Sequence, residues 1–461
     1  MNDTIAAIST PFGEGAVALL RVSGPRAVAL ADAVFRSKTR AAELASRVQQ
    51  FGAIWDDRQR LDDVLLTVFR GPASYTGEDV VEIACHGGVL VSRRILELLL
   101  RGGARAANPG EFTQRAFLNG KMDLTQAEAV MDLITAQTDL ALRAATEQLE
   151  GRLGERIRAL REMLLELLAH VEAFIDFPDE DIDPDTGDAL LAKLDTARAE
   201  IDALLATADR GKVLREGVRT VIFGAPNVGK SSLLNLLLGH ERAIVSPKPG
   251  TTRDVIEEVI NLRGIPLRLI DTAGVRESED EIERAGMERT RQQVERADLV
   301  LHLVDATRPR PSAKEWLSAG MFEGPAYAHG RAILVLNKCD LGQHESWQED
   351  INERATFLPV RVSCLTGEGV EKLTEAVVSR VTGGTTAQRD WSVAINARHQ
   401  DCLEKARGFA DAARQALTDG LSPEFVAEEL RSALDAVGEV VGKVDSEDVL
   451  GRIFSTFCIG K

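Results

Sequence analysis

The chain has 461 residues, 44% of them apolar, 28% charged and 5% aromatic, more than one hydrophobic core usually supports, so about two to four domains are expected. A net charge of −17 excludes a protein that coats nucleic acid, since phosphate binding rests on clustered Lys and Arg, and an RNA partner would need a local basic patch. The start of the chain lacks the basic n-region of a signal peptide, no apolar run approaches the ~20 residues that span a bilayer, and the five cysteines (Cys85, Cys339, Cys364, Cys402, Cys458) show no CxxC spacing, so a cytoplasmic protein without membrane partner, disulfide framework or zinc site is expected.

In chain order, residues 1–118 alternate strand-like runs, Ile5–Ile8, Ala16–Val22, Val64–Phe69 and Val80–Ala84, with turn signals. One helix, Val89–Leu100, stops at Gly102-Gly103, and together these predict a small α/β domain. Residues 119–213 read as helical: apolar residues recur at helical spacing from Thr125 to His170, and a further helix runs from Ala189 to Ala208. The acidic run between them, from Asp176 to Asp188, lacks the Gly and Glu placement of a calcium loop and reads as a solvated connection. Over 214–381 strands alternate with helices, with strands expected at Val218–Phe223, Pro266–Ile270, Leu299–Val304, Ala332–Leu336 and Pro359–Val362, the pattern of a mainly parallel sheet. Thr382–Thr386 reads as a linker, and helical spacing returns over 382–461. The expected architecture is multidomain, α/β plus all-α, with an α/β unit inserted into a discontinuous helical bundle.

The chemistry sits in the inserted unit. Gly224-Ala225-Pro226-Asn227-Val228-Gly229-Lys230-Ser231 follows the strand ending at Phe223 and opens a helix at Ser232-Leu233-Leu234, the strand, loop and helix setting of G-x-x-x-x-G-K-[ST]. Its glycines let backbone N–H groups close on phosphates, Lys230 neutralises the β- and γ-phosphates, and the Ser231 hydroxyl ligates Mg²⁺. Asp271-Thr272-Ala273-Gly274 supplies the second Mg²⁺ contact and a γ-phosphate N–H, and Gly250-Thr251-Thr252-Arg253-Asp254 forms a switch-like loop with Thr252 as Mg²⁺ ligand. Asn337-Lys338-Cys339-Asp340 follows a strand, at the carboxyl edge where ligands bind. Asp340 can accept from guanine N1–H and the exocyclic amine, a donor pair adenine lacks, which selects GTP over ATP. Ser363-Cys364-Leu365 is a softer match to the Ser-Ala-Lys loop that touches the base.

Val275 occupies the position where many signalling GTPases carry a water-orienting Gln, and no arginine finger is evident. Hydrolysis then needs imported charge and another water-orienting group, with a monovalent cation and one of Glu279, Glu281 or Glu283 as candidates.

These motifs, with Gly77-Glu78-Asp79, His86-Gly87-Gly88, Pro109-Gly110-Glu111-Phe112, Arg115-Ala116-Phe117-Leu118-Asn119, Asp176-Phe177-Pro178-Asp179-Glu180 and the terminal Cys458-Ile459-Gly460-Lys461, resemble the MnmE (TrmE) family of bacterial tRNA-modification GTPases over the whole chain. The resemblance implies an N-terminal folate-binding and dimerisation domain (1–118), a two-part helical domain (119–213 and 382–461) and a Ras-like P-loop GTPase domain (214–381). It implies a potassium-activated GTP hydrolase, binding GTP and GDP, that acts as a homodimer with an MnmG-like FAD-dependent partner in a hetero-oligomer. The pair uses a one-carbon unit from a 5,10-methylene- or 5-formyl-tetrahydrofolate to install a carboxymethylaminomethyl-type group on C5 of wobble uridine 34 of certain tRNAs. It puts Arg21, Glu82, Lys121 and Lys461 at the folate site. It gives K⁺ Asn227 and backbone oxygens from Ser246, Pro247, Lys248, Pro249, Gly250 and Thr251, and it gives Glu283 the water-orienting role. Cys458 reads either as a catalytic thiol beside the folate site or as an exposed tail cysteine. A ribosome-assembly GTPase is the alternative, but no basic G-x-x-G segment follows the GTPase region.

Overall fold

The computed structural model describes residues 3–176, 187–240, 258–270, 293–311, 330–347, 359–383, 393–442 and 447–461. The chain divides into two compact units, one of residues 1–131, 148–202 and 401–461, the other of residues 132–147 and 203–400.

The first unit opens with β1 (Ile5–Ile8), β2 (Val17–Ser23), α1 (Ala27–Val34), β3 (Phe35–Arg36), β4 (Gln49–Asp56), β5 (Gln59–Phe69), β6 (Val80–His86), α2 (Val89–Arg101), β7 (Arg105–Ala106) and α3 (Glu111–Leu118). The strands form one sheet in the order β3-β4-β5-β6-β2-β1-β7, antiparallel except where β1 meets β7. Alternation sorts its two faces. Leu20, Val22, Leu66 and Ile83 join Ile95 and Leu99 of α2 in one buried core, each such side chain contributing about 1.5–3 kcal/mol on burial. The opposite face carries Arg21 and Glu82 as cross-strand partners and the row Phe51, Leu65, Ala84, Leu19, of which Phe51 is 62% exposed and Leu65 40%.

The helical spacing that runs unbroken from Thr125 to His170 in the sequence resolves into three helices, α4 (Leu124–Thr135), α5 (Asp139–Leu149) and α6 (Arg152–Asp176). Side-chain caps and a glycine cut them. Asp123 accepts the Gln126 N–H at 3.0 Å while Gln126 Oε1 accepts the Asp123 N–H at 3.0 Å, a reciprocal cap that starts α4. Thr138 Oγ1 accepts the Ala141 N–H at 3.2 Å and starts α5, and Gly151, at φ 95°, separates α5 from α6. After α6 come α7 (Gly187–Leu205) and α8 (Ala208–Glu216); the acidic run from Asp179 to Asp185 lies outside the described residues.

The second unit is built on β8 (Val218–Phe223), α9 (Lys230–His240), β9 (Glu258–Leu262), β10 (Ile265–Leu269), β11 (Leu299–Asp305), β12 (Ala332–Asn337), β13 (Val360–Arg361) and α10 (Val370–Val381). Its sheet runs β13-β12-β11-β8-β10-β9, parallel except for β9 against β10. The sequence pattern missed β9, which pairs with β10 through the turn at Arg263-Gly264. The parallel strands are near-continuous apolar runs, as in Leu299–Asp305, because both faces are buried.

The chain ends in α11 (Ala397–Thr418), α12 (Pro423–Val441) and α13 (Glu447–Ser455). Within the first unit α12 packs along α6, and each helix buries an apolar stripe at helical spacing, Val426, Leu430, Ala433 and Val437 on one and Ile157, Leu160, Leu164 and Leu167 on the other. Leu450 and Phe454 of α13, with Phe457, pack with Leu124 and Ala127. Among the described residues no helix is long and apolar enough to cross a membrane.

Candidate functional site

Two sites take shape, one in each unit. In the second unit β8 feeds the loop Gly224–Gly229 and then α9. The loop needs backbone that only some residues give: Gly224 and Gly229 sit at φ +157° and +101°, and Asn227 at φ 60°, the alternation that turns successive N–H groups to one side as an anion nest. Neither glycine has room for a Cβ, which would lie 2.2 Å from the Leu303 carbonyl oxygen at Gly224 and 2.3 Å from Asn337 Nδ2 at Gly229. Lys230 Nζ donates to the Gly224 and Ala225 carbonyls, each at 3.0 Å, and burial lowers its pKa. Among the described residues no carboxylate lies in ion-pair range of it. A half-buried ammonium whose described partners are carbonyl oxygens is matched to an incoming anion.

The segments Asn337–Asp340 and Ser363–Leu365 converge on the same edge. Asn337 is 2% exposed; its Nδ2 donates to the Val228 carbonyl at 2.7 Å and its Oδ1 accepts the Cys364 N–H at 3.0 Å, so one side chain ties the phosphate loop to the last base loop. Lys338, at φ 65°, pairs with Asp305 at 2.7 Å. Burial opposes ionisation of Asp305, but the Lys338 ammonium and the Thr307 hydroxyl and N–H outweigh it and hold the carboxyl below its ordinary value. Asp305 was not singled out from sequence; its signal was its place at the carboxyl end of a parallel strand. Asp340 is exposed, in the short turn Cys339–Leu341. Ser363 is fully buried and caps its own turn by accepting the Thr366 N–H at 3.1 Å. Burial pushes the Cys364 thiol up to about 11, so it packs as a small apolar group, while Leu365 is 85% exposed. Ser231 and Ser232 lie in the first turn of α9.

Ser246, Pro247, Lys248, Pro249, Gly250, Thr251, Thr252, Asp271, Thr272, Ala273, Gly274, Glu279, Glu281 and Glu283 lie outside the described residues. Of the ligands named for K⁺, Asn227 is therefore the one whose backbone is described.

In the first unit Arg21 and Glu82 face each other across β2 and β6, with Arg21 Nε and Nη2 donating to one Glu82 oxygen at 3.0 and 2.7 Å. The Arg21 guanidinium lies 5.3 Å from the Tyr75 ring centre and 5.7 Å from that of Phe112, two aromatic supports that sequence reasoning did not find. Lys121 is exposed, its Nζ donating to the Pro72 carbonyl at 3.0 Å. The tail's carbonyls are bonded to this domain: the Gly110 N–H donates to the Cys458 carbonyl at 3.3 Å, the Phe112 N–H to the Lys461 carbonyl at 3.2 Å, and the Ser9 hydroxyl to the Gly460 carbonyl at 3.1 Å. Gly460, at φ +95°, has the Ile8 carbonyl oxygen 2.7 Å from where a Cβ would stand. Phe112 thus touches both Arg21 and Lys461, and brings the start and end of the chain to one place. Cys458 is exposed.

A family model described as the MnmE helical domain matches residues 124–458, and one described as the GTP-binding protein TrmE N-terminus matches residues 4–121. The tRNA modification GTPase MnmE of Akkermansia muciniphila is 51% identical over 465 residues, covering 99% of each chain. Those of Natranaerobius thermophilus and Geobacillus kaustophilus are each 46% identical over 465 residues, covering 100% of this chain and 100% and 99% of theirs. Among solved structures, the G domain of the T. maritima FeoB iron transporter is 28% identical, covers 35% of this chain and 98% of its own, and has a TM-score of 0.25.

Proposed function

The chain belongs to the MnmE family of tRNA modification GTPases, and from that premise we propose that it is a potassium-activated GTP hydrolase serving the modification of wobble uridine 34 in certain tRNAs. The GTPase itself is a property of the family. The finer proposal is that the N-terminal domain binds a 5,10-methylene- or 5-formyl-tetrahydrofolate through Arg21, Glu82, Lys121 and Lys461. Its one-carbon unit is joined to C5 of the uridine with an MnmG-like FAD-dependent partner, giving a carboxymethylaminomethyl-type group.

One observation carries the folate half: the backbone of Cys458–Lys461 is bonded to Phe112 of α3, which lies against Arg21 of the Arg21–Glu82 pair, and to Ser9, the residue after β1. A carboxylate such as Glu82 can accept from the amino and ring N–H groups of a pterin, while Lys121 and Lys461 are cations for the glutamate end. The exposed Phe51 and Leu65, at the β4–β5 end of that sheet face, support a homodimer formed through this domain.

In the GTPase site Lys230 would meet the β- and γ-phosphates and Ser231 with Thr252 would hold Mg²⁺, which supplies charge neutralisation when bound. Asn227 and the backbone of Ser246–Thr251 would hold K⁺, whose charge offsets the missing finger. Glu283 would orient the water that Val275 cannot, and Asp340 would read guanine.

Hydrolysis is expected to run at least several-fold faster in KCl than in NaCl at equal ionic strength, and equal rates would remove the potassium proposal. Mass spectrometry of wobble uridines from cells lacking the protein tests the rest, with loss of the C5 modification expected and an unchanged nucleoside profile against it.

A further inference from the structure

Three motifs of the N-terminal domain, Gly77-Glu78-Asp79, Pro109–Phe112 and Arg115–Asn119, take no part in nucleotide chemistry, and in the fold they converge on one buried guanidinium. Arg115 is 1% exposed. Its Nη1 donates to the Asp3 carbonyl at 3.0 Å and to the two Glu78 carboxylate oxygens at 3.3 and 3.2 Å. Its Nη2 donates to Asp3 Oδ1 at 2.7 Å and to Glu111 Oε1 at 3.0 Å. Arg105 is the second cation of the group, paired with Asp3 and Glu111. Burial opposes ionisation of Glu111, but Arg105, the Asn108 N–H and Arg115 outweigh it and hold the carboxyl below its ordinary value. A buried ion network is a poor source of stability, since apolar side chains of the same volume do as well; what it supplies is fixed geometry.

That geometry reaches three of the four residues of the proposed folate site, Arg21, Lys121 and Lys461, within two positions. Glu78 accepts the Ser23 hydroxyl at 2.7 Å, and Ser23 is two residues along β2 from Arg21. Ser23 also bonds Thr76 at 2.7 Å, whose carbonyl accepts Asn119 Nδ2 at 2.7 Å, two residues before Lys121. Gly77, at φ +80°, brings its backbone against Asn119, where a Cβ would stand 3.1 Å from the Asn119 Cβ. Glu111 accepts the Asn108 N–H at 2.8 Å and fixes the start of α3. There the next residue, Phe112, lies against Arg21 and bonds the Lys461 carbonyl.

We propose that Arg115 is a positioning residue of the one-carbon-donor site, holding Arg21, Lys121 and Lys461 in register through Glu78 and Glu111. The proposal rests on the folate assignment made above. The test uses the full chain and 5-formyltetrahydrofolate as probe, with binding read by calorimetry well below the melting temperature, and with melting temperature and GTP turnover read alongside. Arg115→Lys keeps the charge but cannot present a planar fork to three carboxylates at once. Glu78→Gln keeps the shape and remains testable should Arg115→Lys fail to fold. Each is expected to weaken binding at least ten-fold with GTP turnover at the wild-type rate. Wild-type affinity in folded variants, whatever their melting temperatures, would overturn the proposal and leave the network a structural one. Absence of binding by the wild-type chain would instead sink the folate assignment on which the proposal stands.

Discussion

The two sites are assembled by opposite means. The proposed phosphate and base loops of the second unit are short contiguous motifs, each at the end of a parallel strand, held by bonds to main chain: Lys230 to Gly224 and Ala225, Asn337 to Val228 and Cys364. The proposed folate site draws Arg21, Glu82, Phe112, Lys121 and Lys461 from positions spread over the chain, through strand register and a tail bonded to Ser9 just after the first strand. A motif-built site fails residue by residue, whereas a register-built one fails when any of its supports shifts.

Four experiments press on that contrast. The largest effect is expected from Lys230→Ala, because no other described cation takes its place on the phosphate loop; GTP turnover should fall ~10³-fold. A fall of less than ten-fold would mean that the phosphate charge is met elsewhere. Glu283→Ala should lower turnover by ~10²-fold with nucleotide affinity near wild type, as for a group acting only in the transition state. Weakened GTP binding at constant turnover would make it a ground-state contact instead.

Removing residues 458–461 should weaken 5-formyltetrahydrofolate binding by roughly ten-fold, the loss of a charge-assisted contact, and leave GTP turnover unchanged. Loss of GTP hydrolysis in the truncated chain would contradict the separation of the two sites.

The smallest effect concerns His302, 1% exposed on β11 beside the Phe223 ring. Burial lowers its pKa from 6.5 to about 4, so as pH falls the unfolded chain takes up the proton first. Its contribution is complete above pH 6.5 and is lost as pH falls toward 4. Between pH 7.5 and 5.5 that amounts to about 1 kcal/mol, read by denaturant unfolding of the second unit, and His302→Leu should flatten the slope. An unchanged slope would assign the pH dependence to other groups.

The contrast also explains what could be read before the fold was known. Gly224–Ser231, Asn337–Asp340 and four of the five strands expected in the GTPase region carry their signal locally, in apolar runs that end at a motif. β9 escaped notice because Glu258–Leu262 is short and joins the sheet only through its antiparallel pairing with β10. The three helices read as one continuous pattern because the breaks between them are one side-chain cap at Thr138 and one glycine, Gly151, which apolar periodicity does not record. In the N-terminal site no local pattern distinguishes Tyr75, Phe112 or Arg115 from ordinary core. Arg21 and Glu82 were reached only through resemblance, because their pairing is a matter of register between β2 and β6.

The bond from Ser9 to Gly460 joins residues 451 positions apart, and it sets an order in time. A ribosome adding roughly 5–20 residues per second releases β1 and α3 on the order of tens of seconds before Cys458–Lys461 emerges. The sheet, complete in every strand by then, must wait with Ile8, Pro109 and Phe112 uncovered at the seat of the tail. A chain released before Cys458–Lys461 is made would therefore leave the seat at Ser9, Gly110 and Phe112 open.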